Sequence, residues 1–232
     1  MLNKMRTGIS VAREALRRER ERRILGQIRT CSGLGDGAWI LHGLALANRP
    51  RVGVEIGSAS GWSTCVIGSA LKANDSGMLY AIDPHSVTKW NDGTLVDTYP
   101  VIRANVAKLG LEKYVTIERK TSEQAAKDWK LKVDMIFIDG DHSYEGVKRD
   151  WELFLPHLSP FSIAVFHDTI WEVGEVDEQY RRSDMGVPKF VDELRQQGYP
   201  VVTSPRNCGV SIVQPVVGGV HLTGSGLVVG GC

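Results

Sequence analysis

Two short polar segments carry the residue types best able to do chemistry. "FIDGDHSYE" places Asp139, Asp141 and His142 just after an apolar run, and "FHDT" places His167 and Asp168 after another. Carboxylates without partners are costly to bury. A divalent cation removes that cost, and Mg²⁺ is bound through carboxylates together with water and substrate. A histidine, with an ordinary pKa of about 6.5, is suited to accept a proton.

A purely structural interpretation of the same segments is also open. Asp141 or Ser143 can cap the helix that follows and pair with a basic residue of that helix. Asp139 and Asp168 would repel each other if their strands are neighbours. Either a bound cation or a protonated His167 would relieve that repulsion.

The stretch "VGVEIGSASGWST" ends an apolar run with an acid followed by small residues. The P-loop and the G-x-G-x-x-G pattern are both absent, and Glu55 would repel phosphate. An acid at this point suits a cationic ligand, such as an amino acid with a sulfonium group. "EIGSASG" resembles the E/D-x-G-x-x-x-G motif of class I S-adenosylmethionine-dependent methyltransferases, which implies cofactor contacts from Glu55, Gly57, Ser58 and Gly61. The alternative is that both glycines serve only a tight strand-to-helix turn.

Further cofactor contacts are predicted after the next two apolar runs. Asp83, in "LYAIDPH", can accept hydrogen bonds from both hydroxyls of an adenosine ribose, or can serve as a turn residue before Pro84. Thr121 and Ser122 follow the third run, where an adenine would lie, and are equally suited to cap a helix. We predict S-adenosylmethionine as the cofactor, contacted by Asp83 and Ser122 and also by Asp139.

Alternating strand and helix patterns are expected to position these side chains. The predicted sheet is α/β, doubly wound and mostly parallel, with seven strands, a last strand that runs antiparallel, and additional N-terminal helices. "MIFI" is apolar without alternation, as is typical of a strand buried on both faces. The last two strands are too close in sequence for a crossover helix and are expected to pair antiparallel. The predicted strands are "RVGVEIG", "GMLYAIDP", "KYVTIER", "VDMIFIDGD", "SIAVFHD", "YPVVTS" and "CGVSIVQP".

A longer resemblance covers roughly residues 50–213. "IDGDHSYEGVKRDWELFLPHLSP", "AVFHDT" and "GVPKFVDEL" are similar to the methyltransferase 24 and macrocin O-methyltransferase-like family. The resemblance implies that Asp139 and the His167–Asp168 pair hold Mg²⁺ and that His142 is the base that acts on an acceptor hydroxyl. Metal-binding relatives usually carry a carboxylate where this sequence has His167, and imidazole is a poorer Mg²⁺ ligand.

Composition sets the class of protein. The 232 residues carry a net charge of +1 and a pI near 7.7, which gives no bias toward nucleic acid or membranes. The four cysteines are scattered without metal-ligand spacing, so we expect free thiols in a cytoplasmic protein. The charged N-terminus lacks the apolar core of a secretory signal. We expect a small-molecule acceptor, no nucleic acid or membrane partner, and homo-oligomer contacts through N-terminal helices.

The chain divides into three predicted parts. Residues 1–48 form an N-terminal helical extension, 49–215 the S-adenosylmethionine-binding methyltransferase domain, and 216–232 a glycine-rich C-terminal tail. Trp90, Trp171 and Tyr180, in two loops beyond strand ends, could stack on a sugar or aromatic acceptor.

The predicted function is O-methylation of a small hydroxylated acceptor of sugar or natural-product type, with possible assistance from Mg²⁺. Two alternatives stay open: a metal-dependent hydrolase that uses the Asp and His residues, and a catalytically silent module that binds adenosyl ligands. A nicotinamide-dependent oxidoreductase is disfavoured because its glycine fingerprint is absent.

Overall fold

A seven-stranded sheet forms the centre of the computed structural model. The structure describes residues 19, 21–28, 33–86, 88–89, 95–170, 185–217, 220–223 and 226–227. The strands are β1 Val52–Ile56, β2 Met78–Ile82, β3 Val115–Glu118, β4 Val133–Ile138, β5 Leu158–His167, β6 Val201–Ser204 and β7 Val210–Val213. Their spatial order is β3-β2-β1-β4-β5-β7-β6.

Six strands run parallel, and β7 pairs antiparallel with both β5 and β6. The connection between β6 and β7 covers only residues 205–209, which is too short for a crossover helix, so the chain reverses direction. The predicted doubly wound sheet with an antiparallel last strand is therefore confirmed.

Six helices cover the two faces of the sheet. They are α1 Ala38–Asn48, α2 Trp62–Asn74, α3 Thr98–Leu109, α4 Ser122–Lys127, α5 Tyr144–Phe154 and α6 Val187–Gln196. Shorter elements are 3₁₀ turns at Gly35–Gly37 and Leu155–His157, the antiparallel pair Thr88–Lys89 and Leu95–Val96, and three short antiparallel strands at Val216–Val217, Val220–Thr223 and Gly226–Leu227. Residues 21–28 are also helical.

The periodicity of apolar residues explains how the helices pack. In α6, Val187, Phe190, Val191 and Leu194 are all buried, at the spacing of one helical face. They pack with Trp151 of α5 in the core on one side of the sheet. Each fully buried side chain of this size contributes about 1.5–3 kcal/mol of transfer free energy.

The core on the opposite side of the sheet joins α1, α2 and α3. Leu41 and Ala45 of α1 are fully buried against Ile67 of α2 and Ile102 of α3. The indole nitrogen of Trp62 also donates a hydrogen bond to the carbonyl of Gly35, at 3.1 Å. Residues 33–48, which belong to the predicted N-terminal extension, thus pack in the same core as the sheet.

Backbone hydrogen bonds extend the sheet one residue past the ends of three strands. The amide of Gly57 donates to Ile82, that of Asp83 to Glu118, and that of Asp139 to Ile56, at 2.9–3.1 Å. These bonds fix the first residue after β1, β2 and β4 along one edge. In parallel sheets of this kind, ligands bind beyond the carboxyl ends of the strands.

Among the described helices, none is both long enough and apolar enough to cross a bilayer.

Substitution of Gly57 by alanine tests the contact between β1 and β4. Gly57 has φ +87°, and a Cβ there would lie 2.1 Å from the backbone carbonyl oxygen of Asp139. We expect Gly57→Ala to lower the free energy of unfolding by at least about 2 kcal/mol, because both the left-handed backbone and the clash are unfavourable. Chemical denaturation measures the change.

Gly43→Ala is the matched control for that substitution. Gly43 lies within α1, and no atom comes within 4 Å of a Cβ built there. The alanine is expected to be neutral or to stabilise by up to about 1 kcal/mol. Equal stabilities of the two variants would contradict the proposed contact.

Candidate active site

A cleft of about 540 Å³ opens at the carboxyl ends of β1 to β4. Its floor includes Ile56 and Ile82, the last residues of β1 and β2. Polar groups come from the loops that follow the strands, from the start of α4 and from α5. Those that carry the argument below are Asp83, Ser122, Asp139, His142 and Asp150.

The loop after β1 is held by the acid at the end of β2. One carboxylate oxygen of Asp83 accepts a hydrogen bond from the amide of Ala59 at 2.9 Å, and the other accepts from the amide of His85 at 2.7 Å. Ala59 has a positive φ of 41°. Asp83 therefore orders both loops at the edge of the cleft, where the sequence places it as a contact for ribose.

His85 is a residue of this region that the sequence did not single out. Its ring is buried beneath the loop, with Nδ1 at 2.9 Å from the hydroxyl of Thr98 and Nε2 at 3.5 Å from that of Ser58. Burial lowers the pKa of His85, so the neutral form is favoured. No local sequence pattern indicates this role, since the two partners of the ring, Ser58 and Thr98, lie on two other segments.

Two of the predicted cofactor residues have packing roles in this loop. Ser58 is buried beside His85 rather than on the wall of the cleft. Gly61 precedes the first residue of α2 with φ +87°, and a Cβ there would lie 2.6 Å from Ile102 of α3. Gly57, by contrast, lies on the cleft wall, where its missing side chain leaves room for the end of β4.

Glu55, predicted from the sequence as a cofactor contact, lies in the core between β1 and α2. Its carboxyl group is fully buried and accepts hydrogen bonds from the hydroxyls of Ser63 and Thr64, in the first turn of α2. It does not belong to the residues that line the cleft. Burial raises the pKa of Glu55 to about 7, although the two hydroxyls partly oppose that shift. This acid joins β1 to the start of α2.

At the start of α4, helix capping and the contact with α5 use different residues, and both of these residues line the cleft. Thr121 is the N-cap, and its hydroxyl accepts from the amide of Gln124 while the Gln124 side chain accepts from the amide of Thr121. Ser122 instead donates its hydroxyl proton to Asp150 of α5 at 2.5 Å. Asp150 was not predicted from the sequence as a site residue, yet it lines the cleft.

A cluster of two carboxyl groups and two imidazoles lies at the ends of β4 and β5. Nδ1 of His167 is 3.1 Å from Asp139 and 3.4 Å from Asp168. Nε2 of His142 is 3.0 Å from Asp168 and 3.6 Å from Asp139. The predicted convergence of these four residues is therefore what the structure shows. His142 is the more accessible imidazole, with 28% of its side chain exposed against 4% for His167.

The charged forms of the groups in this cluster stabilise one another by pairing. Burial disfavours the charged form of His142, but bonds to Asp139 and Asp168 outweigh it and raise its pKa to about 10. Burial opposes charge on His167 in the same way, and Asp139 nonetheless raises its pKa to about 9. Burial would raise the pKa of Asp139, but the two imidazoles lower it to about 2. Both histidines are therefore protonated at neutral pH, unlike the unperturbed histidine assumed from the sequence.

Backbone geometry directs the side chains of this cluster. Asp168 has a left-handed φ of 58°, which turns the chain sharply after β5. Nε2 of His167 donates to the carbonyl of Asn207 at 2.9 Å, in the loop between β6 and β7. Asn207 also has a positive φ, of 52°. Strain of this kind persists where the surrounding structure holds it, often at functional sites.

Asp141 fits the structural interpretation rather than the catalytic one. Its carboxylate accepts from the amide of Ser143 at 3.0 Å, and it lies 3.6 Å from Arg149. Ser143 caps α5 by accepting from the amide of Gly146. These contacts fix the start of α5 and so the position of His142.

The three predicted metal ligands, Asp139, His167 and Asp168, are not equally placed to hold one ion. Among the described residues, the group whose ligand atoms all lie within 4.8 Å of one another is Asp139, His142 and Asp168, without His167. The Nε2 atom of His167 is committed to Asn207, and its ring lies behind the two carboxylates. Oδ1 of Asp168 is buried, makes no hydrogen bond among the described residues, and lies 3.4 Å from Nδ1 of His167. Two carboxylates this close to each other fit a divalent cation.

Three aromatic residues predicted to contact an acceptor, Trp90, Trp171 and Tyr180, lie outside the residues that the structure describes.

Glu55→Gln is expected to change how stability depends on pH. The carboxyl of Glu55 titrates at about 7 when folded and at 4.5 without burial, so its neutral form favours folding. That contribution is complete below 4.5 and is lost as the pH rises through 7. It corresponds to about 3 kcal/mol at most, at 1.36 kcal/mol per pKa unit.

Unfolding by urea at a series of pH values measures this effect. The free energy of unfolding of the Gln variant should exceed that of the wild type at pH above about 8 and should lack the fall near pH 7. Glu112→Gln, at an exposed position, is the matched control and should follow the wild type. Parallel curves for all three proteins would show that folding does not raise the pKa of Glu55.

Comparisons with known proteins agree with this geometry. The model of the family described as "Methyltransferase domain" (Methyltransf_24) matches residues 54–169. A curated relative, the uncharacterized protein y4gI of Sinorhizobium fredii, is 33% identical over 137 residues, which are 57% of this chain. The chain covers only 14% of that relative's length.

Solved structures share the fold at low identity. The S-adenosylhomocysteine-bound methyltransferase PaMTH1 of Podospora anserina has a TM-score of 0.65 at 16% identity, over 84% of this chain and 86% of its own. The O-methyltransferase TomG of Streptomyces achromogenes, solved with S-adenosylmethionine, has a TM-score of 0.62 at 15% identity, over 84% and 90%. With half of its length matched by the family model, the chain belongs to the Methyltransf_24 family of methyltransferase domains.

Proposed function

We propose that this domain transfers the methyl group of S-adenosylmethionine to a hydroxyl group of a small acceptor. One observation carries the proposal. Asp83, the acid predicted to contact the ribose, lies on the same cleft wall as Asp139 and His142 of the charged cluster. A donor bound against the loop after β1 would thus lie beside groups able to receive a proton. The family assignment supports methyl transfer as the reaction.

Methyl transfer to oxygen needs alignment and removal of one proton. The bond from sulfur to the methyl carbon breaks as the bond from the acceptor oxygen forms, and the sulfonium becomes a neutral thioether. The hydroxyl proton must then go to a base. Holding the two reactants in line supplies much of the rate enhancement in reactions of this type.

His142 is the group we assign to receive the proton. It is the exposed imidazole of the cluster and lies on the cleft wall, whereas His167 is buried behind the carboxylates. In the ligand-free site its raised pKa keeps it protonated. It must therefore release its own proton before it can accept one, and Asp168, at 3.0 Å, orients the ring for that role.

We further propose that Asp139 and Asp168 hold Mg²⁺. This ion usually binds through one or two carboxylates and retains several waters, which leaves His142 free to act on the proton. When bound, the ion would neutralise both carboxylates and polarise an acceptor oxygen. The observation that supports the site is that ligand atoms of Asp139, His142 and Asp168 all lie within 4.8 Å of one another.

The acceptor is proposed to be a hydroxylated sugar or natural product. TomG, which shares the fold, is described as an O-methyltransferase involved in tomaymycin synthesis. A cleft of about 540 Å³ is within the size range of small-molecule sites.

Replacement of the proposed base separates catalysis from binding. We expect His142→Ala to lower kcat by ~10²–10⁴-fold, the range typical for loss of a general base. The dissociation constant for S-adenosylhomocysteine, measured by calorimetry, should change by less than about threefold. A radiolabelled-donor assay with a panel of sugars and catechols supplies the turnover measurement.

His157→Ala is the matched control. His157 lies after α5, with its ring against Phe154 and away from the cleft, so activity should be unchanged. A different result would make His142 a structural residue. In that case His142→Ala loses cofactor binding, but its turnover rate per molecule of cofactor-bound protein equals that of the wild type.

Removal of metal tests the second part of the proposal. EDTA should suppress methyl transfer, and excess Mg²⁺ or Mn²⁺ should restore it, because the two carboxylates then regain a neutralising cation. Asp139→Asn should raise the Mg²⁺ concentration needed for half-maximal activity. Turnover that EDTA leaves untouched would show that the two protonated histidines alone neutralise the carboxylates. Metal-dependent hydrolysis without methyl transfer would favour the hydrolase alternative.

A further inference from the structure

His85 is a buried imidazole behind the cofactor region that the proposed methyl transfer does not use. Only 1% of the residue is exposed, and it does not belong to the residues that line the cleft. Its Nδ1 lies 2.9 Å from the hydroxyl of Thr98, the first residue of α3. Its Nε2 lies 3.5 Å from the hydroxyl of Ser58, in the loop after β1. The ring therefore connects two segments that are distant in sequence.

A neutral ring suits both of these contacts. A neutral imidazole has one donor and one acceptor nitrogen, and a hydroxyl can take either part. Burial lowers the pKa of His85, and although Asp83 opposes that shift, the ring is neutral at and above neutral pH. The two contacts thus hold the ring in place without placing a buried charge beside the loop.

The backbone of His85 is held in an unusual conformation. Its φ is 46°, in the left-handed region that few residues other than glycine adopt. The guanidinium of Arg119 donates to the carbonyls of His85 and Pro84, at 3.2 and 3.4 Å. The ring of Tyr99 lies 5.4 Å from the imidazole, measured between ring centroids. Such strain persists only where the surrounding contacts maintain it.

This turned backbone directs the amide of His85 at Asp83. The amide donates to Oδ1 at 2.7 Å, while the amide of Ala59 donates to Oδ2 at 2.9 Å. Each carboxylate oxygen can accept two hydrogen bonds, so each retains capacity for one more. Asp83 lines the cleft, and two oxygens held in this way suit the two neighbouring hydroxyls of a ribose. The direction of the carboxylate thus depends on the position of the His85 backbone.

We propose that His85 is a positioning residue for cofactor binding: its ring, anchored to Thr98 and Ser58, holds the backbone amide that fixes the carboxylate of Asp83 toward the ribose. The inference rests on the proposed function, since it concerns the same cofactor. His85 acts through Asp83 and does not contact the cofactor itself. Without the ring, the carboxylate of Asp83 is free to turn away from the ribose, and binding weakens although every residue that lines the cleft is still present.

Two substitutions of His85 separate the ring from the backbone. Glycine adopts a left-handed backbone readily, so His85→Gly removes the ring contacts without adding backbone strain. We expect it to raise the dissociation constant for S-adenosylhomocysteine at pH 8, measured by calorimetry, by roughly 5–50-fold. Asparagine also tolerates this backbone, and its amide reaches the position of Nδ1 beside Thr98. His85→Asn should therefore stay within about threefold of the wild type.

A double-mutant cycle with Asp83→Ala shows whether the effect of His85 passes through that carboxylate. Asp83→Ala should itself weaken binding, and adding His85→Gly to it should change the dissociation constant by less than about twofold. A residue that merely stabilised the fold would weaken binding equally in both backgrounds. His42→Ala is the matched control. His42 is a half-buried histidine on α1 whose ring contacts Trp39, and its loss should leave the dissociation constant unchanged.

Thermal melting shows which variants are folded, and Thr98→Val supplies a second route. This change keeps the shape of the side chain and removes the hydroxyl that contacts Nδ1, so it should weaken cofactor binding in the same direction as His85→Gly. If His85→Gly does not fold, an unchanged dissociation constant in Thr98→Val overturns the role of His85.

The outcomes separate this inference from the proposed function. A wild type that binds S-adenosylhomocysteine, with a folded His85→Gly variant of equal affinity, overturns the role of His85 alone. Additive effects of His85→Gly and Asp83→Ala, or a His85→Asn variant as weak as His85→Gly, overturn it as well. A wild type that does not bind the ligand overturns the proposed function and this inference with it.

Discussion

The close approach of the backbone at Gly57 to the carbonyl of Asp139 is the constraint on which the site depends. A Cβ at that position would lie 2.1 Å from the carbonyl oxygen, so only glycine lets the loop after β1 lie directly on the end of β4. The same Asp139 directs its side chain to His167. The backbone of Asp139 thus contacts the loop after β1, and its carboxylate belongs to the charged cluster. One residue therefore connects these two parts of the site.

The cluster itself shows how the fold tolerates four buried or half-buried charges. Isolated charges would be costly in such surroundings, but each carboxylate here faces an imidazole. The sheet supplies the rigidity, because β4, β5 and β7 are hydrogen-bonded neighbours. Near the cluster, left-handed backbone angles occur at Asp168 and in the loop from Asn207 to Gly209, just beyond the strand ends. Regular pairing in the sheet thus supports strain at the position where chemistry is proposed.

The sequence predicted those features that depend on periodicity and on strand ends. Seven apolar runs with helical patterns between them specify the doubly wound sheet, and the short final connection specifies its antiparallel strand. The meeting of Asp139 with His167 follows because β4 and β5 are adjacent and parallel. What the sequence did not predict depends on contacts between distant segments. Asp150 meets Ser122 across 28 positions, and nothing local distinguishes it from a surface acid of an amphipathic helix.

Glu55 shows a different limit of prediction from sequence, because an acid at this motif position can face either a ligand or the protein core. An acid after β1 was expected to face a cationic ligand, yet two hydroxyls at the start of α2 hold it inside the core. The attraction for a cation must then come from acids that do line the cleft. Acidic residues at the wall include Asp83, Glu123, Asp139, Asp141 and Asp150, while the lysine and arginine residues there are Lys120 and Arg149. A wall of this charge favours a sulfonium over the neutral thioether that methyl transfer leaves behind. Because the thioether product lacks the positive charge, the acidic wall would bind it less tightly than the sulfonium. This difference would assist release of the product.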